Sequence, residues 1–248
     1  MSTTTNNYTS QSITHTTEAV DIFYSSNGVK QIVCESDSTL NYLVIVSDAQ
    51  VVIDVSHLAW SQAVIHAIVM SSWAPTSLKF TSTLVESKSM SNIHIVSFCT
   101  PHSDITVDGN VIIDPGISWS TWNLLEQNVL LWWRMKLRTL PVLDVRSNDI
   151  SASHGAKVDR IDPMQLFYCM SRWLTREQST QLIIGSMITD LVSHVQSDEV
   201  VRPLIEMLSN HVLSCIWLSW PQIQAPSNRS HRVSHHLHSI QPKPSAII

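Results

Sequence analysis

Histidine and cysteine are the residues of this 248-residue chain that could hold a metal ion, and cysteine could also act as a nucleophile. His154 lies between a strand-like and a helix-like stretch. Its imidazole could bind a metal there, or could hydrogen-bond the last strand to the first helix, and the sequence leaves both interpretations open. The cysteines show no C-x-x-C spacing and are predicted to be reduced, small buried side chains: Cys34, Cys99, Cys169 and Cys215.

Two further groups of residues could carry chemistry. One is a set of histidines near the C-terminus, namely His231, His235, His236 and His238. Their surroundings are rich in Pro and Ser, so nothing fixes the geometry of a metal site, and residues 218–248 are predicted to be a disordered tail. The other group is the pair Asp144 and Asp149, the candidate carboxylates for glycan chemistry.

Charge and hydropathy exclude several classes of partner. The formal net charge is −5 and the pI is about 6.1, so the chain lacks the basic surface that nucleic acids require. The first residues, MSTTTNNYTSQS, do not resemble a signal peptide, and no apolar run approaches the ~20 residues that cross a bilayer. We therefore predict a cytoplasmic protein that has neither nucleic acid nor a membrane as a partner.

Short apolar runs of strand length fill residues 17–160, whereas residues 1–16 are polar, lack periodicity and are predicted to be disordered. Val51, Ile53 and Val55 recur at every second position, the period of a half-buried strand. Repeated runs of this kind predict a mainly β body. The scarcity of Asn-Gly and Asp-Gly turns favours solenoid rungs over long hairpins, although the pattern alone leaves a β-helix and a β-sandwich equally open.

The sequence after residue 160 changes to helical signals. Two capped helix starts are expected, one formed by Asp162, Pro163 and Gln165 and the other by Thr175 and Gln178. Apolar residues then recur every three to four positions, and a third helix is predicted at about 199–216. Residues 161–217 are thus predicted to form a small C-terminal helical subdomain.

The segment LPVLDVRSNDISASHGAKVDRIDPMQLFYCMSRW, together with LLEQNVLL before it, strongly resembles the C-terminal signature of the SufB/SufD family. Members of this family are scaffold proteins of the SUF iron–sulfur cluster assembly system. The resemblance is dense from about residue 106 to residue 196. It implies a right-handed parallel β-helix over residues 17–160, followed by the small C-terminal helical subdomain.

The resemblance also implies a function and partners. It predicts a non-enzymatic scaffold subunit that dimerises through its β-helix, with a SufB/SufD paralogue or with itself, and binds a SufC-type ATPase through its C-terminal helices. The residues expected to contact the ATPase are Gln165, Phe167, Tyr168 and Arg172. The alternative is a carbohydrate-binding or carbohydrate-active β-helix protein, and a third interpretation is a degenerate paralogue that keeps only the dimer interface.

At the family's cluster-binding positions this chain has a histidine and lacks thiols. His154 occupies the family's histidine position and is the candidate ligand for iron or a cluster. Ala152 stands where SufD often has a cysteine, Met135 where SufB carries its cluster cysteine, and Gly155, as in SufD, where SufB has a glutamate. Because thiolates are the usual cluster ligands, no cofactor is expected to bind stably to this chain alone, and a transient iron–sulfur cluster is expected only in the complex.

Five glycines and nine tryptophans make an unusual composition. An average glycine content of ~7% would give roughly 17 glycines in a chain of this length. Trp173 also follows a capped helix, at a position where the family has glycine. Other tryptophans are predicted to lie in turns where the family favours small residues or glycine, namely Trp119, Trp122 and Trp132 or Trp133. We therefore hypothesise that some tryptophan codons are read as glycine in the organism that makes this protein.

Overall fold

The computed structural model describes residues 7–131, 134–193, 205–210 and 212–214. Within these residues the chain forms thirteen β-strands followed by two helices, and residues 205–210 and 212–214 are also helical. The strands are β1 (Asn7–Ile13), β2 (Thr17–Tyr24), β3 (Gly28–Cys34), β4 (Thr39–Ser47), β5 (Gln50–His57), β6 (Gln62–Met70), β7 (Thr76–Leu84), β8 (Met90–Cys99), β9 (Asp104–Ile113), β10 (Ser118–Leu130), β11 (Lys136–Thr139), β12 (Val142–Val145) and β13 (Asp149–Arg160). The helices are α1 (Pro163–Ser171) and α2 (Arg176–Val192).

Two open sheets of parallel strands make up the β body, and successive strands up to β10 alternate between them. The first sheet has the order β1-β3-β5-β7-β9, after which both β11 and β12 pair with β9. The second sheet has the order β2-β4-β6-β8-β10-β13. Parallel neighbours need a long crossover connection, and here each crossover is the strand that lies in the other sheet. The prediction of a mainly β body is confirmed, and this topology explains the scarcity of hairpin turns.

The main core lies between the two sheets and is lined by every second residue of the strands from β3 to β10. Val51, Ile53 and Val55 of β5 are buried, as their spacing predicts. Ile53 lies in register with Phe80 of β7, which is also buried. Rows of this kind remove one face of each strand from water, and full burial of one such side chain contributes about 1.5–3 kcal/mol.

A second core lies on the outer face of the second sheet, where α2 packs. Ile184, Ile188 and Leu191 of α2 cluster there with outward side chains of the strands, which include Leu43, Ile68, Val96 and Phe98. The C-terminal ends of β4, β6 and β8 are therefore buried on both faces. This accounts for continuous apolar runs such as AVIHAIVM, because a strand with one face in water would alternate with polar residues.

The expectation of disorder over residues 1–16 is wrong where the structure describes that segment. Asn7–Ile13 form β1, which pairs in parallel with β3. The Tyr8 hydroxyl donates a hydrogen bond to Gln31 at 2.5 Å, and the Ser12 hydroxyl donates one to Glu35 at 2.6 Å. A polar segment can form this edge strand because backbone hydrogen bonds to one neighbour hold it, which local composition does not reveal.

The helix starts largely follow the sequence signals. Asp162 caps α1 by accepting a hydrogen bond from the Met164 amide at 2.9 Å. The reciprocal bond expected from Gln165 is not formed in this described stretch, so α1 has a simple cap in place of the predicted capping box. Thr175 and Gln178 form the predicted capping box at α2.

Several predictions fall on residues that the structure does not describe. The third predicted helix is described only at residues 205–210 and 212–214, which are helical. The predicted tail at 218–248 with its histidines lies outside the described residues, as do Cys215, Trp132 and Trp133. Among the described helices, none combines the length and apolarity needed to cross a bilayer.

Candidate functional site at the last strand

His154 lies within β13, the edge strand of the second sheet, and not at a strand–helix junction as the sequence suggested. β13 continues to Arg160, and α1 begins at Pro163. His154 stands in register with Leu124 of β10. Its side chain is exposed and, within the described part of the chain, makes no hydrogen bond to α1. His154 therefore does not connect the last strand to the first helix.

The end of the stack exposes a row of side chains that the preceding strand buries. The inward row of β10 consists of Trp122, Leu124, Glu126 and Asn128, all buried. The register continues this row on β13 as Ala152, His154, Ala156 and Val158. Ala152 packs partly against the main core, whereas the side chains after it are exposed. His154 is thus the first exposed residue of an inward-facing row.

The residues that replace the expected cluster ligands border the same core. Ala152 and Met135 are both partly buried against the main core. Gly155 follows His154, and a Cβ added at Gly155 would meet nothing within 4 Å. A larger side chain would therefore fit at Gly155. Among the described residues, no three His, Cys, Asp or Glu side chains lie close enough together to hold a metal ion.

Glu126 is a buried carboxyl group that the sequence analysis did not identify. Its side chain is 1% exposed and fills the space beside Gly109 of β9, where an added Cβ would overlap Oε1. The Thr139 hydroxyl of β11 donates a hydrogen bond to Oε2. Burial raises the pKa of Glu126 to about 7, an effect that bonds from Thr139 and the Gly109 amide oppose and the nearby Asp108 reinforces. The alternation of inward and outward side chains along a strand could have indicated its burial, because Glu126 occupies an inward position of LLEQNVLL.

His57 is a second buried titratable residue that the sequence analysis missed. Its Nε2 lies 3.2 Å from the Ser82 hydroxyl and its Nδ1 lies 3.5 Å from the Ser61 hydroxyl. The Ser61 hydroxyl donates to the Leu58 carbonyl at 2.8 Å, so its oxygen accepts from Nδ1–H and Ser82 donates to Nε2. The Trp122 ring packs edge-on against the imidazole, with 4.5 Å between ring centres. Burial lowers the pKa of His57 to about 3.

The cysteines and the candidate carboxylates differ in their surroundings. Cys34 and Cys99 are buried as predicted, and burial raises the pKa of each thiol to about 12. Cys169 is not packed core: it is partly exposed and borders a groove of about 470 Å³ that residues of α1 and α2 line. Asp144 accepts a hydrogen bond from Arg146 at 2.5 Å, and Asp149 is exposed on β13. No catalytic carboxylate pair follows from these contacts.

The residues predicted to contact an ATPase form an exposed face of α1, which buries none of its side chains. Gln165, Tyr168 and Arg172 follow one another at helical spacing on one side of the helix. The Arg172 guanidinium lies 5.3 Å from the centre of the Tyr168 ring and donates to its hydroxyl at 3.4 Å. Phe167 adds exposed aromatic area beside them. Aromatic and arginine side chains of this kind commonly dominate the binding energy of protein interfaces.

Comparison with known proteins identifies the family. Residues 76–187, from β7 into α2, match the family described as SUF system FeS cluster assembly, SufBD core domain. SufD of Bacillus subtilis strain 168 is 32% identical over 72 residues, which are 29% of this chain and 16% of that protein. SufD of Escherichia coli K12 is 26% identical over 89 residues, which are 36% of this chain and 21% of that protein. Residues 76–187 of the chain belong to the SufB/SufD family.

A third relative, a SufBD family protein of Mycobacterium leprae strain TN, is 25% identical over 105 residues, or 42% of this chain and 27% of that protein. The chain therefore spans less than a third of the length of each of these relatives. The region that matches the family contains His154, Glu126 and the exposed face of α1, whereas His57 precedes it.

Proposed function

We propose that this SufB/SufD family member is a non-enzymatic scaffold subunit of a SUF iron–sulfur cluster assembly complex. The observation that supports the proposal is that the strand carrying His154 and the helix with the exposed face are directly connected within the region that matches the family. β13, which carries His154, leads directly through Ile161 and Asp162 into α1 with its exposed face. A partner that pulls on α1 would therefore act on the edge strand of the stack.

In this proposal the β body is a right-handed parallel β-helix that dimerises through its last strand, with a SufB/SufD paralogue or a second copy. β13 is an edge strand, and its free backbone N–H and C=O groups can pair with a strand of a partner. The same pairing would cover the exposed inward row that begins at His154. Because Ala152 and Met135 supply no thiolate, a cysteine-bearing paralogue would contribute the thiolate ligands of a nascent cluster.

The α1 face is the expected docking surface for a SufC-type ATPase. We expect the triple variant Phe167→Ala, Tyr168→Ala, Arg172→Ala to lose at least about thirtyfold in affinity, because interface residues of these types often contribute about 2 kcal/mol or more each. Co-purification with the co-expressed ATPase, followed by titration of the purified subunits, measures the loss. The melting temperature should be little changed, since α1 buries none of its side chains.

Tyr8→Ala is the matched control for this experiment. Tyr8 and Tyr168 are equally exposed, at 60% each, but Tyr8 lies on the first strand, at an edge of the other sheet. The control should bind the ATPase like the unchanged protein. Full affinity of the triple variant, or ATPase binding by a chain truncated at residue 160, would rule out the α1 docking surface.

The proposed role of His154 has a separate test. Anaerobic co-expression with SUF subunits should give a complex whose iron and acid-labile sulfide fall by on the order of tenfold or more in His154→Ala. Loss of a residue that only supports a metal ligand already weakens metal binding by about that amount, and loss of a ligand should weaken it at least as much. Subunit stoichiometry should stay the same. His15→Ala, at another exposed histidine, should keep the iron. Equal iron content in the His154→Ala complex would contradict iron binding by His154.

A further inference from the structure

Four corresponding corners of the β stack hold a residue with positive φ. At these corners the chain passes from the first sheet to the second, before β4, β6 and β8 and at the start of β10. The four residues are Asp37 (φ 60°), Trp60 (63°), Lys88 (66°) and Trp119 (57°). Each is followed directly by a serine, namely Ser38, Ser61, Ser89 and Ser120. This recurrence indicates that the corner requires a residue in the left-handed backbone conformation.

Backbone hydrogen bonds between successive corners hold this conformation. The Asp37 amide donates to the carbonyl of Ala59, which precedes Trp60, at 3.1 Å. The Lys88 amide donates to the carbonyl of Ser118, which precedes Trp119, also at 3.1 Å. Asp37 and Lys88 are thus bonded to the next corner of the stack, and the carbonyls that accept these bonds directly precede Trp60 and Trp119. Each of these carbonyls shares a peptide plane with the tryptophan amide, so a rotation of that plane to relieve positive φ would move the acceptor.

Tryptophan is poorly suited to these corners. Only a few per cent of non-glycine residues have positive φ, and the residues that tolerate it are mainly Asn, Asp and His. Asp37 fits that rule, and Lys88 departs from it. Trp60 and Trp119 depart from it as well. Their side chains are 55% and 76% exposed, so burial in the core does not offset the backbone strain. The Lys88 ammonium lies 4.5 Å from the centre of the Trp60 ring, a contact at the surface of the protein.

Trp173 shows the same mismatch at an unrelated place in the fold. It directly follows Arg172, the C-cap of α1, and has φ 69°. Its amide donates to the Met170 carbonyl at 3.2 Å, while the Arg172 amide donates to Cys169 at 3.0 Å. This is the position after a helix where glycine is strongly preferred, because it has no Cβ to clash in the left-handed conformation. The Trp173 side chain is 97% exposed.

The three tryptophans share a backbone conformation that is typical of glycine. Of the five tryptophans in the described part of the chain, Trp60, Trp119 and Trp173 have positive φ, and Trp73 and Trp122 do not. Trp122, expected in a turn, is instead a buried residue within β10. The chain as a whole has nine tryptophans and only five glycines. We infer that residues 60, 119 and 173 are glycine in the natural protein, because its organism reads the corresponding codon as glycine.

Mass spectrometry of the protein isolated from its own organism tests this inference directly. Cleavage before aspartate releases the fragment 162–189, in which Trp173 is the sole tryptophan. The fragment should have the mass expected for glycine at residue 173, and fragments 54–103 and 114–143 should show glycine at residues 60 and 119. A tryptophan mass at residue 173 would overturn the inference.

Stability measurements on the recombinant protein test the conformational argument by itself. Trp60→Gly, Trp119→Gly and Trp173→Gly should each raise the melting temperature by about 2–4 °C, the effect of relieving one strained residue in a domain of this size. Trp73→Gly is the matched control, because Trp73 is 82% exposed but lacks positive φ, and it should give no rise.

Trp173→Ala distinguishes two possible causes of a higher melting temperature, namely relief of backbone strain and loss of an exposed indole. Alanine removes the indole but keeps a Cβ, so it should not reproduce the rise seen with glycine. Equal gains from Trp173→Ala and Trp173→Gly, or from Trp73→Gly and Trp60→Gly, would show that loss of an exposed indole is the cause. Either result would contradict the proposed preference of these positions for glycine.

Discussion

Replacing His57 with glutamine is expected to stabilise the folded protein at pH 4, by about 3 kcal/mol relative to its effect at pH 8. The folded protein holds the imidazole neutral between Ser61 and Ser82, and burial lowers its pKa from 6.5 to about 3. Below pH 6.5 the unfolded chain therefore binds a proton that the folded chain does not. The free energy of unfolding falls as the pH decreases through this window, and the full loss, reached below pH 3, is about 5 kcal/mol.

Denaturant titrations of the unchanged protein and His57→Gln at pH 8 and pH 4 measure this effect. The variant also loses the edge-on packing against Trp122, but that cost is the same at both pH values. The stability difference between the two proteins should thus shift by about 3 kcal/mol in favour of the variant at pH 4. His15→Gln, at an exposed histidine, serves as the comparison variant. A pH-independent difference for His57→Gln would contradict burial of a neutral imidazole.

Glu126→Gln is expected to have the opposite pH dependence and to stabilise the protein above pH 7. Burial raises the pKa of Glu126 from 4.5 to about 7, so between these values the folded chain keeps a proton that the unfolded chain has lost. Stability therefore falls as the pH rises from 4.5 to 7, by about 3 kcal/mol in total. Glutamine has a similar shape, can still accept from the Thr139 hydroxyl and has no ionisable group.

The same denaturant titrations at pH 4.5 and pH 8 measure the gain. Glu126→Gln should become more stable relative to the unchanged protein by about 3 kcal/mol on going to pH 8. Glu177→Gln is the control at an exposed carboxyl, whose pKa is lowered by bonds to its own backbone amide and to Thr175. The stability that Glu177 contributes is lost only as the pH falls below 4.5, so the difference for this variant should change little between pH 4.5 and pH 8. A constant difference for Glu126→Gln across this range would contradict a raised pKa.

The two buried groups oppose each other between pH 4.5 and pH 6.5. Within this range, lowering the pH protonates His57 in the unfolded chain, and raising the pH ionises Glu126 in the unfolded chain. Each change lowers the free energy of unfolding, and the two slopes against pH are similar in size. Their contributions to the pH dependence of stability therefore nearly cancel in the unchanged protein. Each single variant should reveal the slope that remains, rising with pH in Glu126→Gln and falling with pH in His57→Gln.

Features that depend on neighbouring residues were predictable from the sequence. The every-second-residue burial of Val51, Ile53 and Val55 follows from the geometry of a single strand. The cap at Asp162 and the capping box of Thr175 with Gln178 depend on side chains within one turn of a helix. The C-terminal motif around His154 likewise predicted the family, which the comparisons confirm.

Features that depend on pairing between distant segments were not predictable. The polar segment Asn7–Ile13 is a strand because β3 supplies its hydrogen bonds. The sequence analysis identified neither His57 nor Glu126, whose neighbours Ser82, Gly109 and Trp122 come from other coils of the stack. The burial of these residues follows from stacking, which a single strand does not encode.

By itself the sequence determined the mainly β body, the capped helices and the family, because each depends on periodicity or on residues close together in the chain. The tertiary structure decided which coils are neighbours, and with that the exposure of His154, the burial of Glu126 and the left-handed corners at Trp60 and Trp119. The physical reason is that side-chain period specifies the face of a strand, whereas contacts across the core depend on the register in which whole coils stack.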